Sequence, residues 1–185
     1  MRKNFGAKTY LYPMPVLIIA SYDENGVVDA MNAAWGGISE ENQISMCLSA
    51  EHKTVKNILN TKAFTVSVAD ANHVKECDYF GVVSANNVKD KFEKSGLSQS
   101  KSQFVNAPII NELMMTLECE LIGYNKETCI MTGKIINVSA DEKVLTNGKI
   151  DPAKLMPICF DPVNNAYLVL GEKVGRAFFD GLSLR

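Results

Sequence analysis

Val16-Leu17-Ile18-Ile19-Ala20 is apolar at every position, a run that suits a strand buried on both faces better than a surface strand with one wet side. Asp23-Glu24-Asn25-Gly26 reads as a turn, because Asn-Gly tolerates positive φ, and Val27 to Met31 returns as the hairpin partner. From Gln43 to Ser49, Ile44, Met46 and Leu48 alternate with Ser45, Cys47 and Ser49, the two-residue period of a strand. After Ser49 the period lengthens: Val55, Ile58 and Leu59 share one helical face, and Thr54 stands where a cap starts a short helix. Phe64, Val66 and Val68 restore the alternation. Asp70-Ala71-Asn72 is placed to cap a second helix that turns Val74 and Cys77 inward, and Val88 with Phe92 predicts a third, shorter one.

Ser95 to Pro108 is polar and aperiodic, which predicts a long loop, a candidate lid or partner-contact segment. Met115, Leu117, Cys119 and Leu121 alternate with Thr116, Glu118 and Glu120, and Thr128 to Val138 forms a second long strand across an Asn125-Lys126-Glu127 turn. Tyr167 to Leu170 reads as one more strand, followed by a Gly171 to Phe179 segment with Val174, Ala177 and Phe178 at helical spacing. Short strands with helices inserted between them, in place of regular β-α alternation, favour a closed or split antiparallel barrel over a doubly wound fold. No repeat, low-complexity run or linker divides the chain, so residues 1–185 are expected to form a single domain.

At 20.3 kDa and 46 % hydrophobic residues the chain can fill a real core, and a folded monomer of that mass exposes roughly 8,800 Å². Nineteen Lys+Arg against twenty-one Asp+Glu leave a net charge of −2, which argues against a nucleic-acid partner. The Val16–Ala20 run is too short to span a bilayer, and no cleavage-type signal precedes it. Cys47, Cys77, Cys119, Cys129 and Cys159 lie far apart with no C-x-x-C pair, which speaks against zinc, iron–sulfur or a disulfide framework and for a reducing, cytoplasmic setting. Gly36-Gly37 does not complete a dinucleotide fingerprint, there is no P-loop, and neither His52 nor His73 lies in a zincin motif. A Cys–His nucleophile pair has no support from spacing.

Three polar stations remain at the ends of predicted elements: Asn32-Ala33-Ala34-Trp35, Ser49 to Thr54, and Gly81-Val82-Val83-Ser84 followed by Lys89. Small residues at the first let a flat ligand approach backbone amides. At the second, hydroxyls, a cation and free amides at a helix start converge on an anion. Together they point weakly to a phosphate-bearing planar cofactor.

The segments Pro13-Met14-Pro15-Val16, Asn32-Ala33-Ala34-Trp35-Gly36-Gly37, Lys53-Thr54 with Asn57-Ile58, Asp78-Tyr79-Phe80-Gly81-Val82-Val83-Ser84, Lys89-Asp90-Lys91-Phe92, Ala107-Pro108, Leu117-Glu118-Cys119 and Leu170-Gly171-Glu172-Lys173-Val174-Gly175 occur in that order. As a set they resemble the flavin reductase-like family of FMN-binding split barrels, most closely its flavoredoxin-type members. The resemblance implies a Greek-key type split β-barrel, a homodimer, and one non-covalent FMN per subunit that exchanges electrons with NAD(P)H or a redox protein. It places Asn32, Ala33, Ala34 and Trp35 beside the flavin ring, Ser49, His52, Lys53 and Thr54 around the ribityl phosphate, and Ser84 with Lys89 at the pocket's mouth. No catalytic acid or base is implied, since the cofactor carries the chemistry. The sequence departs from the family at Ser84-Ala85, where Ser-Gly is common, and at Glu51-His52-Lys53, where an arginine is often found.

Plainer roles stand beside these. Trp35 also suits a core or interface aromatic, Thr54 a plain helix cap, His52 a solvated loop, and Lys89 a hydrated helix face. Cys77 and Cys119 suit small buried hydrophobes, and His73 a structural role. A flavoredoxin-like electron carrier without small-molecule turnover, and a non-redox barrel holding haem or another phosphate-bearing ring, are the alternatives to an oxidoreductase. The apolar faces on both sides of the first strand call for a covering helix or a second subunit.

Overall fold

Alternating apolar side chains and short turns give a chain built mainly of antiparallel strands, seen in a computed structural model that describes residues 1–185. Strands β1 (Met14–Pro15), β2 (Leu17–Tyr22), β3 (Val28–Ala33), β4 (Gly36–Glu40) and β5 (Gln43–Cys47) precede helix α1 (Lys53–Thr61), and β6 (Ala63–Val68) precedes α2 (Val74–Val82) and α3 (Lys91–Lys94). A short hairpin, β7 (Gln99–Lys101) and β8 (Pro108–Ile110), is followed by a long one, β9 (Met115–Asn125) and β10 (Ile130–Ala140). The remaining elements are β11 (Leu145–Thr146), β12 (Lys149–Ile150), α4 (Pro152–Leu155), β13 (Ile158–Asp161) and β14 (Ala166–Val169). No helix is long and apolar enough to cross a membrane.

Seven strands form one sheet in the order β3-β2-β6-β9-β10-β5-β4. Its two edge strands, β3 and β4, are consecutive in the chain and separated only by Ala34 and Trp35. Three peptide steps reach about 10 Å, whereas the edges of a flat seven-stranded sheet lie about 29 Å apart. The sheet therefore curls until its edges nearly meet, and the expected split barrel is the result. Gly36–Glu40 escapes the sequence pattern because this edge strand is mostly exposed and carries no buried alternation.

The curled sheet has apolar packing on both faces. Inside lie Leu17, Ile19, Met31, Ile44, Met46, Phe64, Val66, Leu117 and Met131, with Val55 and Ile58 of α1 plugging the interior. On the other face, Val16, Ile18 and Ala20 pack with Cys77 and Phe80 of α2, Phe92 of α3, Ile110 of β8 and Ile158 of β13. The second face of the first long strand is thus covered by the chain's own helices and strands, and it no longer argues for a second subunit.

Two further expectations change. Ser95–Pro108 carries β7 and runs into β8, the two held as a hairpin by backbone pairing from Gln99–Ile110 to Lys101–Pro108. It covers a buried polar face of β6 and β9: Thr65 donates to the Pro108 carbonyl at 2.6 Å, and Glu118 accepts from Ser102 and from Asn137. The segment is a structural cover over satisfied polar groups and not a lid on the stations above. Gly171–Phe179 is not helical. Its apolar residues have helical spacing but no surface to pack on, Phe178 adopts φ 60°, and only a 3₁₀ turn at Asp180–Leu184 follows.

Gly133 of β10 faces the buried Phe64 ring so closely that a Cβ there would lie 2.3 Å from Cζ. Gly133→Ala is expected to destabilise the fold by about 1–3 kcal/mol through overpacking. Urea unfolding checks this, and a midpoint equal to that of the parent would show that the ring moves aside freely.

Candidate functional site

The curl brings the ends of β3, α1 and α2 together. Between them is a cleft of about 110 Å³ lined by Asp29, Met31 and Asn32 of β3, His52 to Thr54 at the start of α1, Phe80 to Val82 of α2, Val83 to Ala85 after it, and Lys91 of α3. A second cleft of about 400 Å³ shares Asp29, Lys53 and Ala85 and extends to Asp23, Asn57, Asn86 and Lys89.

Helix α1 opens on this cleft. His52 occupies its cap position and provides no side-chain hydrogen bond to it, so the first-turn amides, which have no intrahelical partner, keep the partial positive charge of a helix start. Thr54 is therefore not the cap. It is the second helical residue, buried, and its hydroxyl donates to Asp29 Oδ2 at 2.6 Å. Lys53 Nζ donates to Asn57 Oδ1 at 2.8 Å and pairs with Asp23 at 3.4 Å. His52 is exposed, yet partial desolvation of its ring holds its pKa below the ordinary value. Repulsion from Lys91 adds to this and Asp29 opposes it.

Beneath the cleft is a buried charged pair that sequence reading missed. Lys91 is only 3 % exposed; its ammonium donates to the carbonyls of Ala30 at 2.6 Å and Phe80 at 3.0 Å and lies 3.9 Å from Asp29 Oδ1. Burial lowers the Lys91 pKa, which Asp29 partly restores. Burial likewise raises the Asp29 pKa, against the pull of Thr54 and Lys91. Both shifts express desolvation of a charge. Asp29 Oδ1 and Asn57 Nδ2 are buried without a hydrogen-bond partner.

Asn32, His52, Lys53, Thr54 and Ser84 are thus gathered in one cleft. Asn32 is steadied there by donating to the Cys77 carbonyl at 3.0 Å, and Gly81 leaves it room, since a Cβ on Gly81 would sit 3.3 Å from Asn32 Cβ. The rest of the first station divides. Ala33 packs against the barrel interior, whereas Ala34 and Trp35 line a separate cleft of about 400 Å³ against Tyr10, Leu11 and Met14. Ser49 is exposed outside both clefts and its hydroxyl accepts only from the Glu51 amide, at 3.4 Å. Lys89 is exposed and borders the neighbouring cleft, so the lysine facing the cleft floor is Lys91. The one cue in the sequence was the register of Lys91 beside apolar Phe92, and it is masked by the charged run around it.

Cys77 and Cys119 have thiols pushed up to about 12 by burial, and His73 Nδ1 faces Asp70 at 2.9 Å. Asp70, expected to help cap α2, accepts from the amides of Asn72 and His73 in the turn just before it, and the helix itself begins at Val74. The groups at the cleft, the unpaired amides of the α1 start with Lys53 and Lys91, suit a phosphate ester. The residues therefore fit a ribityl phosphate.

The chain is similar to several known proteins. A family model described as "Flavin reductase like domain" matches residues 9–158. The flavoredoxin of Desulfovibrio vulgaris (Miyazaki F) superposes with a TM-score of 0.93 at 34 % identity, over 98 % of this chain and 100 % of that one. A flavoredoxin from Methanosarcina acetivorans gives 0.89 at 24 % identity over all of both chains. Nitrilotriacetate monooxygenase component B from Bacillus cereus gives 0.78 at 19 % identity, over 90 % of this chain and 89 % of that one, a likeness of fold.

Lys91→Met is expected to destabilise the protein by about 3–5 kcal/mol, because it leaves the Asp29 charge and two carbonyls buried without the ammonium that answers them. Adding Asp29→Asn is expected to recover part of that loss. A double-mutant cycle measured by urea unfolding checks the coupling, and strictly additive effects would mean that the two groups do not act as a pair.

Proposed function

The chain belongs to the flavin reductase-like family, and we propose that within it this protein is an FMN-binding oxidoreductase that passes hydride or electrons from NAD(P)H, or from a reduced protein, through a non-covalently bound flavin. The observation that carries the reading is the cleft between β3, α1 and α2, where an uncapped helix start, Lys53 and the buried Lys91 converge. Bound FMN supplies a ring able to accept and release two electrons. The chain's own groups bind and orient it. The α1 amides and Lys53 would hold the phosphate, the Lys91–Asp29 pair would form the floor beneath it, and Asn32 and Gly81 one wall. The working form is a homodimer in the cytoplasm.

A second reading, an electron carrier without small-molecule turnover, is favoured by the 34 % identity to a protein described as a flavoredoxin. Stopped-flow mixing with NADH and NADPH separates the two. Rapid direct bleaching of the flavin supports the oxidoreductase, and bleaching only by a reduced protein supports the carrier.

Lys53→Ala with Thr54→Ala is expected to weaken FMN binding by about 1–3 kcal/mol, through loss of a charge-assisted contact and of the bond that orders Asp29. Fluorescence-quenching titration checks this. Unchanged affinity would place the phosphate elsewhere, and a parent protein that fails to quench FMN at all would end the flavin reading.

A further inference from the structure

The two ends of the chain leave the barrel as exposed arms, the first anchored at its base by Tyr12, whose hydroxyl donates to Asp161, and passing beside Trp35. Residues 1–12 are exposed throughout, with Phe5, Leu11 and Tyr12 presented to solvent. Residues 171–185 are likewise exposed, and Val174 and Phe178 are as open as in an extended chain. With these arms the protein exposes 11,477 Å², about 2,700 Å² more than the roughly 8,800 Å² expected of a folded monomer of its mass. A standard interface needs about 800 Å² from each partner. The excess is therefore large enough for a stable dimer.

The C-terminal arm is also ordered for contact. Arg176 pairs with Asp180 at 3.3 Å and lies 3.7 Å over the Phe179 ring, which fixes a compact hook of aromatic, arginine and leucine side chains before any partner arrives. Aromatic residues and arginine are enriched at interfaces, and preorganisation lowers the ordering cost of docking. The hook continues an exposed apolar edge, Leu168 to Leu170, on the open side of β14.

Charge identifies the partner. The first twelve residues carry three cations and no acid, and residues 171–185 carry three cations and two acids. A chain of net −2 therefore has arms of net +4 and a body of net −6. We propose that the arms dock on the acidic body of a second copy of this chain, so that the homodimer is held by exchanged arms and not by the barrel faces alone. This rests on the homodimer of the proposed function and names the segments that make it.

The test is light scattering on the full chain and on a Val174→Ser, Phe178→Ser, Leu184→Ser variant, with FMN titration of the same samples. All three residues are exposed, so circular dichroism should match the parent, and the urea midpoint should fall only by the stabilisation that dimerisation supplies. The parent is expected at twice the 20.3 kDa chain mass, with the variant's dimer weakened about 100-fold or more and further salt-sensitive. A parent that is monomeric overturns the proposal, whether its arms fold back or await another partner, and so does a variant whose dimer is as tight as the parent's. A monomer that binds FMN leaves the flavin reading standing, and a dimer that ignores FMN removes that reading while leaving the arms.

Discussion

A link of two residues, Ala34-Trp35, joins strands that stand at opposite edges of a seven-stranded sheet. The reach of three peptide steps is a covalent limit, so the sheet must close on itself, and the seam is fixed at those residues. Trp35 is tied there from the backbone, its carbonyl accepting from the Cys47 amide at 2.8 Å. From this one constraint the rest follows. The interior is filled by side chains of β2, β5, β6, β9 and β10, α1 is drawn into the barrel by Val55 and Ile58, and its start is delivered beside the end of β3.

The same closure explains why charges are buried near the seam. Lys91 reaches in from α3 to satisfy the carbonyls of Ala30 and Phe80, which belong to β3 and α2 and are left free where those elements diverge. Asp29 answers Lys91 and takes the Thr54 hydroxyl. Burying such a pair is a poor way to gain stability. Its effect is to set a charged pair as the floor of the cleft beneath a helix start, with one oxygen of Asp29 lacking a hydrogen bond.

Much of this was legible in the residues. The hydrophobic run at Val16–Ala20, the Asn-Gly turn and the alternation through β5, β6, β9 and β10 correspond to strands and turns that form, because side-chain period and turn chemistry are local. Edge strand β4 was not legible, since few of its residues are buried. The helical spacing of Val174, Ala177 and Phe178 misled because spacing produces a helix only where a surface receives its face. In the site, Asn32, His52, Lys53, Thr54 and Ser84 meet as one cleft, yet their bonding was hidden. A threonine before an apolar helical face looks like a cap, and only the fold shows that Asp29 has taken its hydroxyl. Lys89 and Lys91 are two positions apart in a charged run, and which of them is buried is decided by the direction in which α3 leaves its turn.

The central claim is that the cleft between β3, α1 and α2 holds the phosphate of a bound flavin. A crystal structure of the protein grown with FMN tests it most directly. The account predicts phosphate density within hydrogen-bond distance of the first-turn amides of α1 and of Lys53, with the ribityl chain running past Asp29 and Asn32. Density for the phosphate in any other cleft, or this cleft closed by its own side chains in the presence of saturating FMN, would contradict it.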